Sequence, residues 1–223
     1  MVMEQLPLRV RLREAVAAAP EQVALRDGDP RLRRADGASL VVIDTRKGAE
    51  PGSILHLVAP GTDLGDWAAG QQVTARIDAA RRMAHRRFHT ATHLLCALVP
   101  HPVDGCSITA GYARLDFHMT EPLDKDALTQ GIAALVAAAL PVAVGAITDA
   151  ELDANPALVK SMSVSPPRGS GTVRTIRVGA TELIDLQPCG GTHVANTAEI
   201  GAVVVTKIEK KSAQTRRVVL GFA

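Results

Sequence analysis

Two short segments about a hundred residues apart constrain the folding of this chain more than any other feature. One reads His89-Thr-Ala-Thr-His93 and the other reads Cys189-Gly-Gly-Thr-His193. Each places two nitrogen or sulfur ligands four positions apart, and together they supply the donors of a tetrahedral Zn²⁺ site. If all four ligands bind one ion, the fold must bring the two segments together. The sequence therefore predicts a zinc site formed by His89, His93, Cys189 and His193.

The first pair is predicted to lie on one helix. Residues 81–99 contain neither glycine nor proline, and their apolar residues have the spacing of a half-buried helix. Because residues i and i+4 share a helix face, His89 and His93 point towards one place. His85 continues the series one turn earlier, but a rise of about 6 Å for each four-residue step carries it too far to share the ion. We expect His85 to be a non-ligand.

The second pair is predicted to follow a strand. Pro188 stops the hydrogen-bond ladder of the strand-like run before it, and Gly190 and Gly191 free the backbone to turn sharply. Such a turn can direct Cys189 and His193 back towards the helix.

The motifs resemble those of the alanyl-tRNA editing proteins, which are free-standing relatives of the editing domain of alanyl-tRNA synthetase. Arg81-Arg82 followed by His89-Thr-Ala-Thr-His93-Leu-Leu is similar to the family's first motif. Residues 185–201, which include Asp-Leu-Gln-Pro-Cys-Gly-Gly-Thr-His-Val and Glu-Ile-Gly, are similar to the second. Between them, Arg114-Leu-Asp-Phe is similar to the family's Arg-Phe-Asp-Phe element. The likeness covers residues 80–223, and three motifs in the right order make it specific.

The resemblance implies hydrolysis of the ester that joins a wrongly attached amino acid to the 3′ end of tRNA for alanine. Serine and glycine are the expected errors, because alanine lies between them in size. The aminoacylation site of a synthetase discriminates only weakly between side chains that differ so little in size. The expected partner is therefore tRNA(Ala) mischarged with serine or glycine, and the expected cofactor is Zn²⁺.

The resemblance also implies catalytic roles for Thr92, as the reader of the serine hydroxyl, and for Asp116, which is the nearest candidate general base only through its family-like context. Gly190 and Gly191 are expected to bind substrate by letting the backbone approach the tRNA terminus. Structural alternatives stay open for each. The Thr92 hydroxyl can bond a helix carbonyl at i−4, Asp116 can be a hydrogen-bond acceptor, and the glycines can simply permit the turn.

The role of the metal also stays open. Four simultaneous ligands would saturate Zn²⁺ and make it structural, whereas a ligand that stands off would leave a position for water or for the substrate's amino group. The same histidine spacing occurs in metalloproteases of the His-Glu-x-x-His kind, but Thr90 stands where their general base would be. Two other functions compete with editing: a non-catalytic module that binds zinc and tRNA, and a zinc hydrolase of a small ester or amide.

The predicted fold class is α+β. Residues 1–79 are expected to form a small β-rich domain, with strands near residues 6–16, 38–43, 54–58 and 72–77. Residues 80–223 are expected to form a two-layer editing domain with a mostly antiparallel sheet and helices on one face. Its second helix is predicted over residues 125–140, and its strands near residues 113–117, 142–147, 172–178, 181–186, 201–208 and 216–221.

The first domain departs from the family pattern. Medium-length members carry a Gly-Gly-Gly-Gln-type loop there, whereas this chain has only Asp27-Gly-Asp-Pro30 and Ala35-Asp-Gly37. This departure motivates the non-catalytic alternative.

Composition predicts a cytoplasmic protein without a membrane span. Apolar residues make up 47% of the 223 residues and charged residues 22%, and no stretch approaches twenty uninterrupted apolar residues. Three cysteines cannot form a closed disulfide framework, so no disulfide partner is expected. Cys96 and Cys106 are predicted to be buried small hydrophobic residues.

The charges give modest support for an RNA partner. The net charge is only +2, but cations gather in two groups on either side of the predicted site. These groups can contact tRNA phosphates, or they can belong to solvated surfaces. The residues concerned are Arg81, Arg82, Arg86 and Arg87 in one group, and Lys207, Lys210, Lys211, Arg216 and Arg217 in the other.

Overall fold

The computed structural model describes residues 30–49, 53–68, 70–163, 165–166 and 171–223. The chain separates into two compact units, Met1–Ala79 and Ala80–Ala223. Both contain antiparallel strands, and helices are few, which confirms the predicted α+β class. We propose that these units are the two domains predicted from the sequence.

The first unit contains five short strands: β1 (Arg31–Arg33), β2 (Ser39–Val41), β3 (Asp44–Lys47), β4 (Ile54–Leu57) and β5 (Thr74–Arg76). They pair in the order β2-β1-β5 and as the hairpin β3-β4, all antiparallel. Leu32 and Leu40 face each other in register and are buried. The strands predicted near residues 38–43, 54–58 and 72–77 are confirmed, whereas the one near residues 6–16 lies outside the described residues. Strands β1 and β3 were not predicted, because charged residues interrupt their apolar pattern.

The second unit contains three helices and seven strands among the described residues. The helices are α1 (Ala79–Leu98), α2 (Lys125–Ala137) and α3 (Asp149–Ala154), and two 3-10 turns follow at Pro156–Leu158 and Thr197–Ile200. The strands are β6 (Val103–Ile108), β7 (Ala113–His118), β8 (Val142–Thr148), β9 (Thr172–Val178), β10 (Asp185–Pro188), β11 (Val203–Ser212) and β12 (Thr215–Phe222). Strand β6 and helix α3 were not predicted.

These strands form two antiparallel sheets, whereas a single sheet layer was predicted. One has the order β11-β12-β7-β6 and the other the order β10-β9-β8. In the second sheet, β9 pairs with β10 through Asp185↔Val178 and with β8 through Val142↔Val178. An apolar pattern identifies a strand but not its pairing partner.

The core of the second unit surrounds the carboxyl half of α1. Every residue from Thr90 to Cys96 is buried, so this half of the helix has no solvent-facing side. Phe88 is fully buried, and its ring stacks on that of Phe222 at a centroid distance of 4.0 Å. A helix enclosed in this way carries its polar residues into the interior. This enclosure positions the candidate site.

Candidate metal centre

The side chains of the four predicted ligands lie in one group. The ligand atoms of His89, His93, Cys189 and His193 are all within 4.8 Å of one another. Sγ of Cys189 lies 3.4 Å from Nε2 of His89 and 3.4 Å from Nε2 of His193. A nitrogen and a sulfur that share a tetrahedral Zn²⁺ lie about 3.6 Å apart, since the two bonds are about 2.05 and 2.3 Å long. The group could therefore hold a metal ion.

Helix α1 supplies two members of the group. The ring centroids of His89 and His93 are 5.4 Å apart with an edge-on arrangement, as expected of neighbours one turn apart on one face. The His193 ring completes the set from the other segment, 4.1 Å from the His89 ring and 4.6 Å from the His93 ring. His85 lies outside this group.

Strand β10 and the turn after it supply the other two members. Pro188 is the last paired residue of β10, opposite Thr175 of β9. The next strand residue of β9, Arg174, donates from its Nη1 to the carbonyl oxygens of Cys189 and Gly191. One guanidinium nitrogen thus holds both ends of the turn.

The two glycines of the turn differ in what surrounds them. A Cβ at Gly191 would overlap the imidazole of His89, lying 2.5 Å from its Nδ1, whereas a Cβ at Gly190 would meet nothing within 4 Å. Local packing therefore requires glycine at 191 and leaves position 190 open.

A buried carboxylate orients His93. Nδ1 of His93 lies 2.8 Å from Oδ2 of Asp185, and both side chains are buried. Asp185 is also 3.4 Å from Nζ of Lys160, and it accepts from the amide of Gln187. Because Nδ1 is engaged on this side, Nε2 of His93 is directed into the group. A carboxylate behind a ligating histidine is a common support of metal sites.

A buried hydroxyl orients His193. Oγ1 of Thr90 donates to the carbonyl of Arg86 at 3.0 Å, accepts from the backbone N–H of Val194 at 3.2 Å, and lies 3.2 Å from Nδ1 of His193. The hydroxyl has one proton, which goes to Arg86, so Nδ1 of His193 must donate. Its Nε2 is therefore free to act as a ligand.

The electrostatics favour the ligand forms of two residues. Burial raises the pKa of the Cys189 thiol, but hydrogen bonds with His193, His89 and His93 outweigh it and lower the pKa to about 3. Burial lowers the pKa of His193 to about 4. A thiolate beside a neutral imidazole is the state that a metal ion requires. For His93, burial lowers the pKa, but its bond to Asp185 outweighs burial and raises the pKa to about 9.

Thr90, Arg174 and Asp185 were missed as functional residues in the sequence. Asp185 had one usable signal, since it precedes the ligand Cys189 by four residues and an acidic residue beside a ligand pair suggests an outer support. Thr90 and Arg174 gave no such signal, because their contacts depend on tertiary structure.

The two predicted catalytic residues lie in different surroundings. Thr92 is buried, and its hydroxyl donates to the carbonyl of His89 at 2.7 Å, three residues back rather than four. Asp116 accepts from Nε and Nη2 of Arg217 and from Nη1 of Arg114, each at 2.7 Å. Burial raises the pKa of Asp116, but these guanidinium groups outweigh it and hold the pKa below its usual value.

The three cysteines are all free. Cys96 is buried, which confirms its prediction, and burial raises the pKa of its thiol to about 12. The prediction that Cys106 is buried is wrong, because this residue is exposed on β6, an edge strand of the four-stranded sheet. Within the described residues, no helix is both long and apolar enough to cross a membrane.

The predicted phosphate-binding cations divide into two kinds. Arg86 donates to the carbonyl of His193, and Arg87 donates to that of Ile200, each at 2.6 Å. These arginines hold α1 against the ligand segment. Exposed cations in both groups include Arg82, Lys207, Lys210 and Lys211.

Comparison with known proteins identifies relatives. Residues 173–219 match the threonyl and alanyl tRNA synthetase second additional domain. The alanyl-tRNA editing protein AlaX-M of Methanosarcina barkeri is 29% identical over 193 residues, which cover 83% of this chain and 77% of the relative. The alanine–tRNA ligase of Frankia alni is 33% identical over 84% of this chain, and that of Alkaliphilus oremlandii is 31% identical over 82%.

The chain spans about a fifth of the length of these two ligases, 21% in each case. The matched domain contains Cys189 and His193, while His89 and His93 lie before it. The alignment with the editing protein extends over most of the chain. The chain is thus similar to an alanyl-tRNA editing protein over most of its length and matches the threonyl and alanyl tRNA synthetase second additional domain over residues 173–219.

Proposed function

We propose that this protein is a trans-editing hydrolase that deacylates tRNA(Ala) mischarged with serine or glycine. The observation that carries the proposal is the convergence of three imidazoles and one thiolate in a homologue of alanyl-tRNA editing proteins. An editing site that had lost its activity would have no need to keep four ligand atoms within 4.8 Å of one another.

We propose Zn²⁺ as the cofactor, held by His89, His93, Cys189 and His193. Nitrogen and sulfur donors in a set of four suit Zn²⁺ better than Mg²⁺ or Ca²⁺, which prefer oxygen. When bound, the ion would supply Lewis-acid chemistry to the ester or hold the substrate's amino group. The chain contributes the orientation of the imidazoles through Asp185 and Thr90, and the turn geometry through Arg174.

We propose Thr92 as the reader of the serine hydroxyl. Its only hydroxyl proton is donated to the carbonyl of His89, so towards the substrate Thr92 can act only as an acceptor. A serine hydroxyl can donate to it, whereas the methyl group of alanine cannot. A pocket that hydrogen-bonds a hydroxyl discriminates strongly against an analogue that lacks it.

The contacts of Asp116 favour its structural alternative. A carboxylate bonded to two guanidinium groups, with its pKa held low, is a weak base near neutral pH. We propose that Asp116 orders Arg114 and Arg217 and does not itself take a proton from water. Gly190 is the better candidate for close approach of the tRNA terminus, because open space surrounds it.

We propose that tRNA phosphates bind the exposed cations Arg82, Lys207, Lys210 and Lys211. Their exposure leaves them accessible to a polyanion, although Lys207 also pairs with Glu209 at 2.7 Å, whereas Arg86 and Arg87 are engaged with backbone carbonyls. A protein that acts on charged tRNA would work in the cytoplasm, where we propose that this one functions.

The experiment that tests the proposal is deacylation of Ser-tRNA(Ala), Gly-tRNA(Ala) and Ala-tRNA(Ala) by the zinc-loaded and the chelated protein. We expect hydrolysis of both mischarged forms, little hydrolysis of Ala-tRNA(Ala), and loss of activity on chelation and in Cys189→Ser. If the protein binds zinc stoichiometrically but hydrolyses none of these esters, the non-catalytic module that binds zinc and tRNA would become the favoured function. Cleavage of small esters that tRNA does not stimulate would replace it by a general zinc hydrolase.

A further inference from the structure

The four ligands differ in how their side chains are held from outside the group. His93 is held by Asp185 at 2.8 Å, and Nδ1 of His193 lies 3.2 Å from Thr90. The sulfur of Cys189 accepts from the backbone N–H of Gly191 at 3.4 Å. Within the described part of the chain, the one hydrogen bond of the His89 ring joins its Nε2 to Cys189, inside the group.

The other edge of the His89 ring rests on backbone instead of on a polar partner. A Cβ at Gly191 would lie 2.5 Å from Nδ1 of His89, so the ring packs directly against the glycine. Such a contact limits the position of the ring by sterics alone, whereas a hydrogen bond also fixes its orientation. Exposure separates the two buried histidines from the other two ligands. His93 and His193 are only 5% and 8% exposed, while His89 and Cys189 are half-buried.

We propose that His89 is the exchangeable ligand, whose ring leaves and re-enters the group while His93, Cys189 and His193 keep the metal ion. This proposal rests on the proposed function, because it assumes that the four side chains hold Zn²⁺. Rotation of the His89 side chain would open one coordination position on the less buried side. Structural zinc sites have four fixed ligands, whereas catalytic sites keep a position open. An exchangeable His89 would explain how a site with four ligands can still provide the open position that hydrolysis needs.

The test is a Co²⁺ titration followed by visible absorption, without tRNA, on the full-length protein. If an exchangeable ligand contributes no more to affinity than an outer support does, His89→Ala should weaken Co²⁺ binding by about 10- to 100-fold. We expect His93→Ala to weaken Co²⁺ binding at least about tenfold further, because it removes a ligand that Asp185 holds in place. His118→Ala is the control, since this exposed histidine pairs with Asp104 and should match the wild type. Equal losses in His89→Ala and His93→Ala would overturn the proposal.

A second pair of variants keeps all four ligands and is independent of whether His93→Ala folds. Gly191→Ala displaces the His89 ring and should reproduce the Co²⁺ affinity of His89→Ala, whereas Gly190→Ala should keep that of the wild type. Added imidazole should restore the wild-type spectrum in His89→Ala, because the vacated position is accessible. Loss of metal in Gly191→Ala as complete as in Cys189→Ser would overturn the proposal. If the wild-type protein binds no Co²⁺, the metal site assumed in the proposed function would itself be refuted.

Discussion

Nδ1 of His93 and Oδ2 of Asp185 lie 2.8 Å apart in a buried pair that links α1 to β10. The Asp185 side chain is fully inaccessible, and Lys160 provides a positive charge 3.4 Å from its other oxygen. The pair therefore joins the two ligand segments and sets the orientation of His93.

Asp185→Asn should weaken metal binding by about 10- to 100-fold, the usual cost of losing a carboxylate behind a ligating histidine. The amide keeps the size of the side chain but loses the charge that orients the imidazole. Zinc affinity measured by competition with a chromogenic chelator checks this. Asp104→Asn is the matched control, because Asp104 also contacts a histidine, His118, which lies outside the metal group. Equal effects of the two variants would contradict the prediction.

Thr92→Val should slow deacylation of Ser-tRNA(Ala) more than that of Gly-tRNA(Ala). Valine has nearly the same shape but cannot accept a hydrogen bond from the serine hydroxyl, and a lost bond of this kind costs about 1 kcal/mol or roughly fivefold in rate. Thr92→Ser keeps the hydroxyl and should retain the preference. The measurement is kcat/KM for both substrates with each variant. A uniform decrease for both substrates would favour the structural role of the bond to His89.

Asp116→Asn should destabilise the protein at neutral pH by about 1.5–3 kcal/mol, the contribution of a hydrogen bond to a charged group. Because the pKa of Asp116 is lower in the folded state than its ordinary value of 3.8, its contribution is complete above that value. It is lost as the pH falls through the folded pKa. Denaturant unfolding at pH 7 and at about pH 3 should therefore show a smaller difference between variant and wild type in acid. A difference that stays constant would rule out the ionised carboxylate as the cause.

Lys210→Gln combined with Lys211→Gln should raise KM for mischarged tRNA and leave kcat nearly unchanged. Removing two lysine–phosphate interactions should reduce the slope of log affinity against log salt by roughly 1.4 to 1.8. Lys125→Gln is the control, since Lys125 is also exposed but begins α2, outside both predicted groups of cations. Titration of tRNA binding at several salt concentrations provides the measurement. An unchanged slope in the double variant would remove these lysines from the RNA interface.

The sequence predicted the grouping of the four candidate ligands because the signals that place them are local. A helix without glycine or proline fixes the direction of His89 and His93, and a turn with two glycines gives Cys189 and His193 freedom to face them. The supports of these ligands were not predictable in the same way. Asp185 lies 92 positions from His93 in sequence, and Thr90 lies 103 positions from His193. No periodic pattern connects such positions.

The position of β10 shows a second limit. A strand was predicted near residues 181–186, but the structure has it at Asp185–Pro188. Gly179 has a φ of 96°, and the N–H of Ile184 donates to the carbonyl of Val178, so a turn occupies much of the predicted strand. Arg177 donates to the carbonyls of Gly179 and Ala180 and stabilises that turn. Propensity favoured the strand, but the bonds of Arg177 favour the turn.

The stacked rings of Phe88 and Phe222 have a consequence for how the molecule forms during synthesis. A ribosome releases α1 more than a hundred residues before β12, so for that interval the Phe88 side chain lacks the ring that covers it. Contacts between residues so far apart in the chain form late, because loop closure must be achieved before they stabilise anything. In the nascent chain, Phe88 would therefore lack this covering ring until β12 has been synthesised.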